Sequence, residues 1–346
     1  MNIAFIGFGT VGKNVAARLQ RQSHKLGLNL RTIAIVDSKG AAICHDGLDL
    51  ETAIEVKNKC SSISEWHSYG LSNITTLDVL KRVDIDLLIE TTTTDIIDGE
   101  PGLSNITSAL SRGIDVITTN KGPIALALRH LEQIAGRSGA RLRYSGTVGG
   151  GTPILDFAKH QLKNEKILSV KGVLNSTSNY ILWKMAKDKV NLKDALQEAK
   201  SRGIAEADSR YDITGIDTAC KLVILANAIM DFRVDLKDVT IQGIENISLN
   251  NVLEAENAGK AVRLIGRIED RLRVSPELIA KTDPLYVEAD NNSICFSTEY
   301  NNYILIGKGA GGKETANAVI RDLLDLYQVE LLQNRTVPRV ELPLVR

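Results

Sequence analysis

The beginning of the chain, MNIAFIGFGTVGKNVAARL, constrains the fold most, because a short apolar strand meets three glycines and a helical pattern follows. Gly7, Gly9 and Gly12 have the spacing G-x-G-x-x-G, which closes a tight turn, lets a pyrophosphate approach the backbone and lets helix and strand pack closely. The helix N-terminus at Thr10 and Val11 would direct unpaired amides at the phosphates. The sequence therefore predicts a βαβ dinucleotide-binding unit; a tight turn without a ligand is the alternative.

The end of the second predicted strand bears on the choice of cofactor. Asp37 stands where an acidic side chain would accept a hydrogen bond from the adenosine ribose 2′-hydroxyl, which favours NAD. Ser38 and Lys39 follow it and could instead hold the 2′-phosphate of NADP. Asp37 could also be a turn residue only, because Asp is common in turns. The choice between NAD and NADP therefore stays open.

Length and periodicity predict two domains, since 346 residues exceed what one small core needs. In the first part, short apolar strands alternate with helical patterns, which predicts an α/β fold with a Rossmann-type doubly wound parallel sheet. After the glycines at 149–151 the strands group apart from the helices, which predicts an α+β second domain. We expect a dinucleotide-binding domain over 1–145, a catalytic and dimerisation domain over 146–307, and a C-terminal segment, 308–346, that packs back on the first domain.

Composition excludes several classes of protein. Lys+Arg and Asp+Glu number 42 each, so the chain has no overall charge to attract nucleic acid or an anionic membrane. The four cysteines are far apart and form no C-x-x-C pair, which favours reduced thiols in a cytosol over a zinc site or disulfides. No apolar run reaches the length of about 18 residues that a transmembrane helix needs, and a strand at the very start leaves no room for a signal peptide. We therefore expect a cytoplasmic protein.

Polar side chains follow the third and fourth predicted strands, at the carboxyl edge of the sheet, where open α/β folds bind ligands. Thr91 and Thr92 could hydrogen-bond the nicotinamide ribose; the alternative is β-propensity followed by a helix cap. Lys121 precedes a predicted Gly-Pro turn and would lie beside the cofactor; the alternative is a solvated lysine in a loop.

A second group of charged residues lies in GIAEADSRYDITGIDTACK. Glu206, Asp208 and Asp212 are predicted to lie in a loop, and the first two suit a substrate with an ammonium group. Asp217 and Lys221 follow in a predicted helix with i,i+4 spacing, so they share one face. The alternative for this pair is an ordinary surface ion pair.

Six motifs in order carry a family resemblance: GFGTVG, TTNKGP, YSGTVGGGTPI, VLNSTSNYIL, EADSRYDITGIDTACK and GKGAGGKETA. With them the chain resembles homoserine dehydrogenase over nearly its whole length, in the short form without a regulatory domain. The resemblance implies reversible NAD(P)-dependent interconversion of L-homoserine and L-aspartate 4-semialdehyde, in the pathway to threonine, methionine and isoleucine. It also implies a homodimer.

The resemblance implies roles for individual residues. Lys221 matches the lysine that donates and accepts the proton, Asp217 its nearby carboxylate, and Lys121 the lysine between nicotinamide and substrate. Glu206 and Asp212 match acids that hold the amino group and hydroxyl region of the substrate. A lysine acts as a base if burial and a neighbouring cation lower its pKa, so we expect the two lysines to lower each other's pKa.

The same resemblance bears on the cofactor and on a metal. Gly311 and the helix after it match the segment that closes on the cofactor. The family's monovalent-cation site uses backbone carbonyls, here near Val148 and Gly150, and a glutamate whose position Ser145 occupies. A neutral ligand at that position weakens the expectation of a bound cation.

Two further departures leave the substrate open. Ser176 replaces a common glycine in the segment that lines the family's substrate pocket, and Ser209 stands where proline often follows the aspartate. The added hydroxyls could merely tune the pocket, or they could mark a same-fold dehydrogenase for another small amino alcohol or semialdehyde. A nicotinamide-binding sensor without catalysis is the remaining alternative, although a sensor has no need for the lysine and aspartate set.

Overall fold

A seven-stranded sheet forms the first half of the protein, in a computed structural model that describes residues 1–26, 29–206 and 208–333. Its strands are β1 (Asn2–Ile6), β2 (Arg31–Asp37), β3 (Gly40–Ile43), β4 (Gly70–Ser72), β5 (Leu87–Glu90), β6 (Asp115–Thr118) and β7 (Leu142–Arg143). The order is β4-β3-β2-β1-β5-β6-β7. Strands β2, β1, β5, β6 and β7 run parallel, while β3 and β4 add an antiparallel edge. The predicted doubly wound fold is confirmed.

The helices connect and cover the strands. They are α1 (Thr10–Leu26), α2 (Leu50–Cys60), α3 (Thr76–Arg82), α4 (Gly102–Leu110), α5 (Lys121–Ser138), α6 (Ile154–Gln161), α7 (Ser176–Asp188), α8 (Leu192–Ser201), α9 (Arg210–Ile213), α10 (Ile216–Ile229), α11 (Leu249–Asn257) and α12 (Gly312–Gln333). Two predictions of irregular chain were wrong. Lys121 is not in a turn but begins α5, because Pro123 lies in the first turn of that helix, where no backbone amide is needed for a helical hydrogen bond. Asp212 is not in a loop but lies in the short α9.

Apolar side chains cover both faces of the first sheet. On one face, α1 and α12 pack against β1 and β2, with Val15 and Val319 beside Ile3 and Ile35. On the other face, α3, α4 and α5 pack against β1, β5 and β6. The strands are thus buried on both sides, as their continuous apolar sequences predict.

A six-stranded sheet forms the second half, with the order β13-β12-β8-β10-β11-β9. Its strands are β8 (Ile167–Val173), β9 (Val239–Ile241), β10 (Lys260–Ile268), β11 (Leu272–Ala280), β12 (Asn291–Thr298) and β13 (Asn302–Lys308). Helix α10 packs on one face of this sheet, where Gly266 leaves room: a Cβ there would lie 3.0 Å from side-chain atoms of Thr218 and Leu222. The same helix contacts α5 of the first half. Helix α10 therefore carries its polar residues to the junction between the two halves.

The C-terminal helix returns to the first half. At the start of α12, a Cβ on Gly312 would lie 2.7 Å from the Thr10 side chain, at the beginning of α1. Residues 334–346 of the predicted C-terminal segment lie outside the described residues, and the domain boundaries stay predictions. In the described ranges, no helix combines the length and apolarity needed to span a bilayer.

Candidate active site

The three glycines of the first turn have different surroundings. Gly7 has φ +84°, and a Cβ there would lie 2.6 Å from the Thr91 carbonyl carbon. A Cβ on Gly12 would lie 2.5 Å from the Gly7 carbonyl oxygen, whereas one on Gly9 would meet no atom within 4 Å. Gly7 and Gly12 are therefore needed for packing, while Gly9 faces open space. This is the arrangement that a dinucleotide pyrophosphate requires.

The start of α1 fits the same ligand. The helix begins at Thr10, and the Lys13 amide donates to the Gly9 carbonyl at 3.0 Å. The amides of Thr10 and Val11 precede that first helical hydrogen bond, so they have no acceptor within the helix and can bind an anion. Around the turn, the residues present fit a nicotinamide dinucleotide.

The two threonines after β5 use their hydroxyls within the protein. The Thr91 hydroxyl donates to the Gly7 carbonyl at 2.6 Å. The Thr92 hydroxyl bonds the Glu90 carboxylate and accepts from Asn120. These bonds tie the loop after β5 to its neighbours, and contact of either threonine with a ribose stays a prediction.

Asp37 is surrounded by donors of its own chain. Its carboxylate accepts from the Lys57 ammonium at 2.6 Å, the Ile63 amide at 2.8 Å and the Lys39 amide at 2.9 Å. Only 4% of its side chain is exposed. Burial opposes ionisation, but Lys57 and the two amides outweigh it and hold the pKa of Asp37 below its ordinary value. These contacts are those of a turn-stabilising residue, and the predicted bonds of Asp37 and Lys39 to the ribose or its phosphate stay predictions.

Two lysines and one aspartate form the centre of the site. Asp217 bridges them, with one carboxylate oxygen 2.7 Å from the Lys121 Nζ and the other 2.7 Å from the Lys221 Nζ. The exposed fractions of these side chains are 28% for Lys121, 11% for Asp217 and 7% for Lys221. Lys221 also donates to the Leu174 carbonyl at 2.5 Å. The pair with i,i+4 spacing is thus not a surface ion pair.

For Lys121 the charge arrangement contradicts the expectation that the two lysines lower each other's pKa. The negative charge of Asp217 raises the pKa of Lys121 in spite of burial. Burial opposes ionisation of Asp217, but the two ammonium groups outweigh it and hold the pKa of Asp217 far below its usual range. Because Asp217 lies between the lysines, the Lys121 ammonium faces a carboxylate and not a second cation.

Asn175 joins a second acid to this centre. Its side-chain Nδ2 donates to Asp212 at 2.5 Å and to Asp217 at 2.9 Å, and its Oδ1 accepts from the Ser178 amide as the N-cap of α7. Burial, followed by the charge of Asp217, raises the pKa of Asp212 to about 6. Asn175 was not among the site residues predicted from the sequence. The signal available was an Asn directly after a strand and before a helix, which is also how an ordinary N-cap looks.

The remaining predicted acids lie outside this cluster. The Asp208 carboxylate is 61% exposed and bonds Arg210 at 2.6 Å, which lowers the pKa of Asp208 to about 2. Glu206 is exposed, next to position 207, which lies outside the described residues. The structure therefore brings Lys121, Asp212, Asp217 and Lys221 together, but not Glu206 and Asp208.

The three serine substitutions are all buried. Ser176 donates to the Asn292 Oδ1 at 3.0 Å, and Ser209 directly precedes α9. The Ser145 amide donates to Asp322 at 3.0 Å, and its hydroxyl has no protein partner among the described residues.

The described ranges contain no group of three or more His, Cys, Asp and Glu residues able to hold a metal. A cation at the carbonyls of Val148 and Gly150 stays a prediction.

The glycine-rich segments after β7 and β13 meet near the start of α12. A Cβ on Gly150 would lie 2.9 Å from the Gly309 carbonyl oxygen, and Gly311 has φ +121°. The segment that is predicted to close on the cofactor lies beside the first turn of α1, because Gly312 directly follows Gly311 and approaches Thr10.

Comparison with known proteins decides the family. The chain is 41% identical over 332 residues to the homoserine dehydrogenase of Methanocaldococcus jannaschii, covering 94% of this chain and 98% of that protein. This chain belongs to the homoserine dehydrogenase family. The family model "Homoserine dehydrogenase" matches residues 153–324, and the family model "Glutamate/Leucine/Phenylalanine/Valine dehydrogenase" matches residues 1–117. The predicted resemblance is confirmed.

Further homoserine dehydrogenases are similar in sequence and in structure. The NAD(+)-dependent homoserine dehydrogenase of Pseudomonas canavaninivorans is 32% identical over 94% of this chain and 96% of that protein. A hyperthermophilic archaeal homoserine dehydrogenase in complex with NADPH has a TM-score of 0.83 at 30% identity, covering 95% of this chain and 98% of that one. The enzyme of Thermoplasma acidophilum has a TM-score of 0.80 at 27% identity, over 95% and 99% of the two chains.

Proposed function

We propose that this protein is an NAD(P)-dependent homoserine dehydrogenase that interconverts L-homoserine and L-aspartate 4-semialdehyde, with Lys221 as the proton donor and acceptor. The observation that carries the proposal is the Lys121–Asp217–Lys221 bridge at the junction of the two halves. The glycine turn and the start of α1 belong to the first half of the protein. Helix α10, which carries Asp217 and Lys221, lies within the residues that the homoserine dehydrogenase family model matches.

The chemistry needs a proton site beside the reacting carbon. A bound nicotinamide dinucleotide supplies the hydride acceptor or donor. In the reducing direction the Lys221 ammonium donates a proton to the oxygen of the semialdehyde, and in the oxidising direction neutral Lys221 accepts the hydroxyl proton. Lys121 remains charged because of Asp217, so it stabilises negative charge that develops on that oxygen. Asp212 suits the ammonium group of the substrate.

The first experiment follows the absorbance of reduced nicotinamide with L-homoserine, in parallel with NAD and with NADP. Growth of the signal supports the proposal and shows which cofactor is preferred. Flat traces from protein that binds cofactor would reject it, and a panel of other small amino alcohols would then test the alternative substrate class.

A pH dependence follows from the raised pKa of Asp212, which is about 6. Protonation removes the negative charge that attracts the substrate ammonium, so kcat/KM for homoserine is expected to fall as the pH drops below about 6. Replacement Asp212→Asn should abolish this acid limb. Asp208→Asn should retain the acid limb. In the native protein Asp208, with a pKa of about 2, is ionised throughout this pH range, so its titration does not contribute to the limb. Initial rates between pH 5 and pH 9, in steps of about half a unit, measure it; a limb that survives Asp212→Asn contradicts the assignment.

We further propose that two copies associate through the outer face of the second sheet, defined by Ile304 and Ile306 of β13 and by Cys295, the cross-strand partner of Ile304. Ile304 and Ile306 are 39% and 59% exposed. β13 is an edge strand, so these exposed isoleucines lie at one side of the sheet. We also propose the division into residues 1–145 and 146–307, with the C-terminal segment on the first domain.

Association through this face makes a measurable prediction. Ile306→Asp is expected to convert a dimer to a monomer in analytical ultracentrifugation, because a charge would be buried without a partner. Leu77→Asp, at a 41% exposed leucine of α3, serves as the matched control and should leave the dimer intact. A monomeric native protein, or a dimer that persists in Ile306→Asp, would reject the proposed face.

A further inference from the structure

Glu90 is a fully buried acid for which the mechanism above has no role. It ends β5 with 0% exposure, between Ile6 of β1 and Thr118 of β6. Within the described part of the chain its carboxylate has neutral partners: the Thr92 amide at 2.9 Å, the Thr92 hydroxyl, and the Thr118 hydroxyl at 2.6 Å. Burial raises the pKa of Glu90. Burying a carboxylate without a neighbouring cation costs free energy of folding, which hydrogen bonds to the carboxylate must offset.

These contacts connect two loops at the carboxyl edge of the sheet. Thr92 belongs to the loop after β5, and Thr118 ends β6. Asn120 completes the connection, since its Nδ2 donates at 3.1 Å both to the Thr92 hydroxyl and to the Thr93 carbonyl. The Asn120 amide donates to the Thr118 hydroxyl at 3.0 Å. Glu90 is therefore the centre of a closed network of side chains between the loops.

Each loop continues directly into one part of the proposed site. Thr91, the neighbour of Glu90, donates to the carbonyl of Gly7 in the glycine turn. Asn120 caps α5 by accepting from the Gly122 amide at 3.2 Å, and the residue between them, Lys121, contacts Asp217 at 2.7 Å. The network thus spans the distance between the dinucleotide turn and the lysine pair.

We propose that Glu90 is a positioning residue whose buried carboxylate fixes Lys121 relative to the glycine turn, an inference that rests on the proposed function for its effect on the reaction. The two carboxylate oxygens accept three hydrogen bonds from the two threonines. An amide of the same shape has one acceptor oxygen, so a glutamine cannot accept all three. The carboxylate, and not merely the volume of the side chain, is what the network uses.

Glu90→Gln is the direct test. It is expected to lower kcat for homoserine oxidation about 10- to 100-fold, because a displacement near 1 Å at a reacting group has such a cost. The dissociation constant of NADPH, from fluorescence titration without substrate, should change by less than about threefold. A loss of kcat without a loss of cofactor affinity reports loss of transition-state geometry. Asp115→Asn is the matched control: Asp115 is a buried acid at the opposite end of β6, and its replacement should leave kcat unchanged.

A second readout does not depend on activity. Acetylation of Lys121 by acetic anhydride, followed by peptide mass spectrometry, reports how firmly Asp217 holds this ammonium. Acetylation is expected to be several-fold faster in Glu90→Gln than in the native protein, while the exposed Lys237 reacts equally in both. If Glu90→Gln does not fold, Thr118→Val removes one of the three bonds and should change both readouts in the same direction by less.

The outcomes separate this inference from the proposed function. Native kcat and native Lys121 acetylation in folded Glu90→Gln would overturn the positioning role, and so would an equal loss of kcat in Asp115→Asn. If the native protein does not oxidise homoserine, the proposed function fails, and Lys121 acetylation alone then decides the role of Glu90.

Discussion

Replacing Lys221 with alanine is expected to lower kcat for homoserine oxidation by about 100- to 10,000-fold, the usual contribution of a positioned acid or base. The dissociation constant of the cofactor should change little, because Lys221 lies on α10 and the glycine turn precedes α1. Asp217 keeps Lys121 and Asn175 as partners in the variant, so no buried charge is left alone. Steady-state rates together with direct cofactor titration measure both quantities.

Lys184→Ala provides the matched control for that experiment. Lys184 is partly buried, with 11% of its side chain exposed, and it pairs with Asp188 at i,i+4 spacing as Lys221 pairs with Asp217; it also contacts Glu198 at 2.8 Å. Loss of these ion pairs should cost stability without lowering kcat. Equal losses of kcat in the two variants would mean that Lys221 acts through stability alone, and the proposed proton transfer would then be wrong.

Replacing Gly9 with valine is expected to have the opposite effect on the two quantities. A Cβ at Gly9 meets no protein atom within 4 Å, so the variant should fold with a native melting temperature. The added side chain fills the space that the pyrophosphate needs, and cofactor affinity should fall at least about 100-fold, an expected loss of about 2.7 kcal/mol. Thermal unfolding and NADPH fluorescence titration test the two parts separately.

Gly136→Val is the control for adding a branched side chain at an open glycine. Gly136 lies within α5, and a Cβ added there would also meet no atom within 4 Å, but the residue is remote in sequence from the first turn. Its replacement should leave cofactor affinity intact. Native cofactor affinity in Gly9→Val, or an equal loss in Gly136→Val, would show that the open space at Gly9 does not bind the pyrophosphate.

Local sequence predicted the buried strands with continuous apolar runs and missed three short elements without one. β1 lies at the apolar start of the chain and β5 directly before Thr91, where the first and third strands were expected, because buried parallel strands are continuous apolar runs between polar turns. β3 (GAAI), β4 (GLS) and α9 (RYDI) were not predicted, since their three or four residues contain no run of large apolar side chains like the LLIE of β5.

For the site, the sequence by itself determined the glycine turn and the shared helical face of Asp217 and Lys221, because both depend on residues a few positions apart. Only the tertiary structure decided that Lys121 contacts the other oxygen of Asp217, since that contact needs α10 to pack between α5 and the second sheet. It likewise decided that Lys57 holds Asp37 and that Glu90 joins two loops. Burial and charge pairing between distant segments set these electrostatics, and no local pattern contains that information.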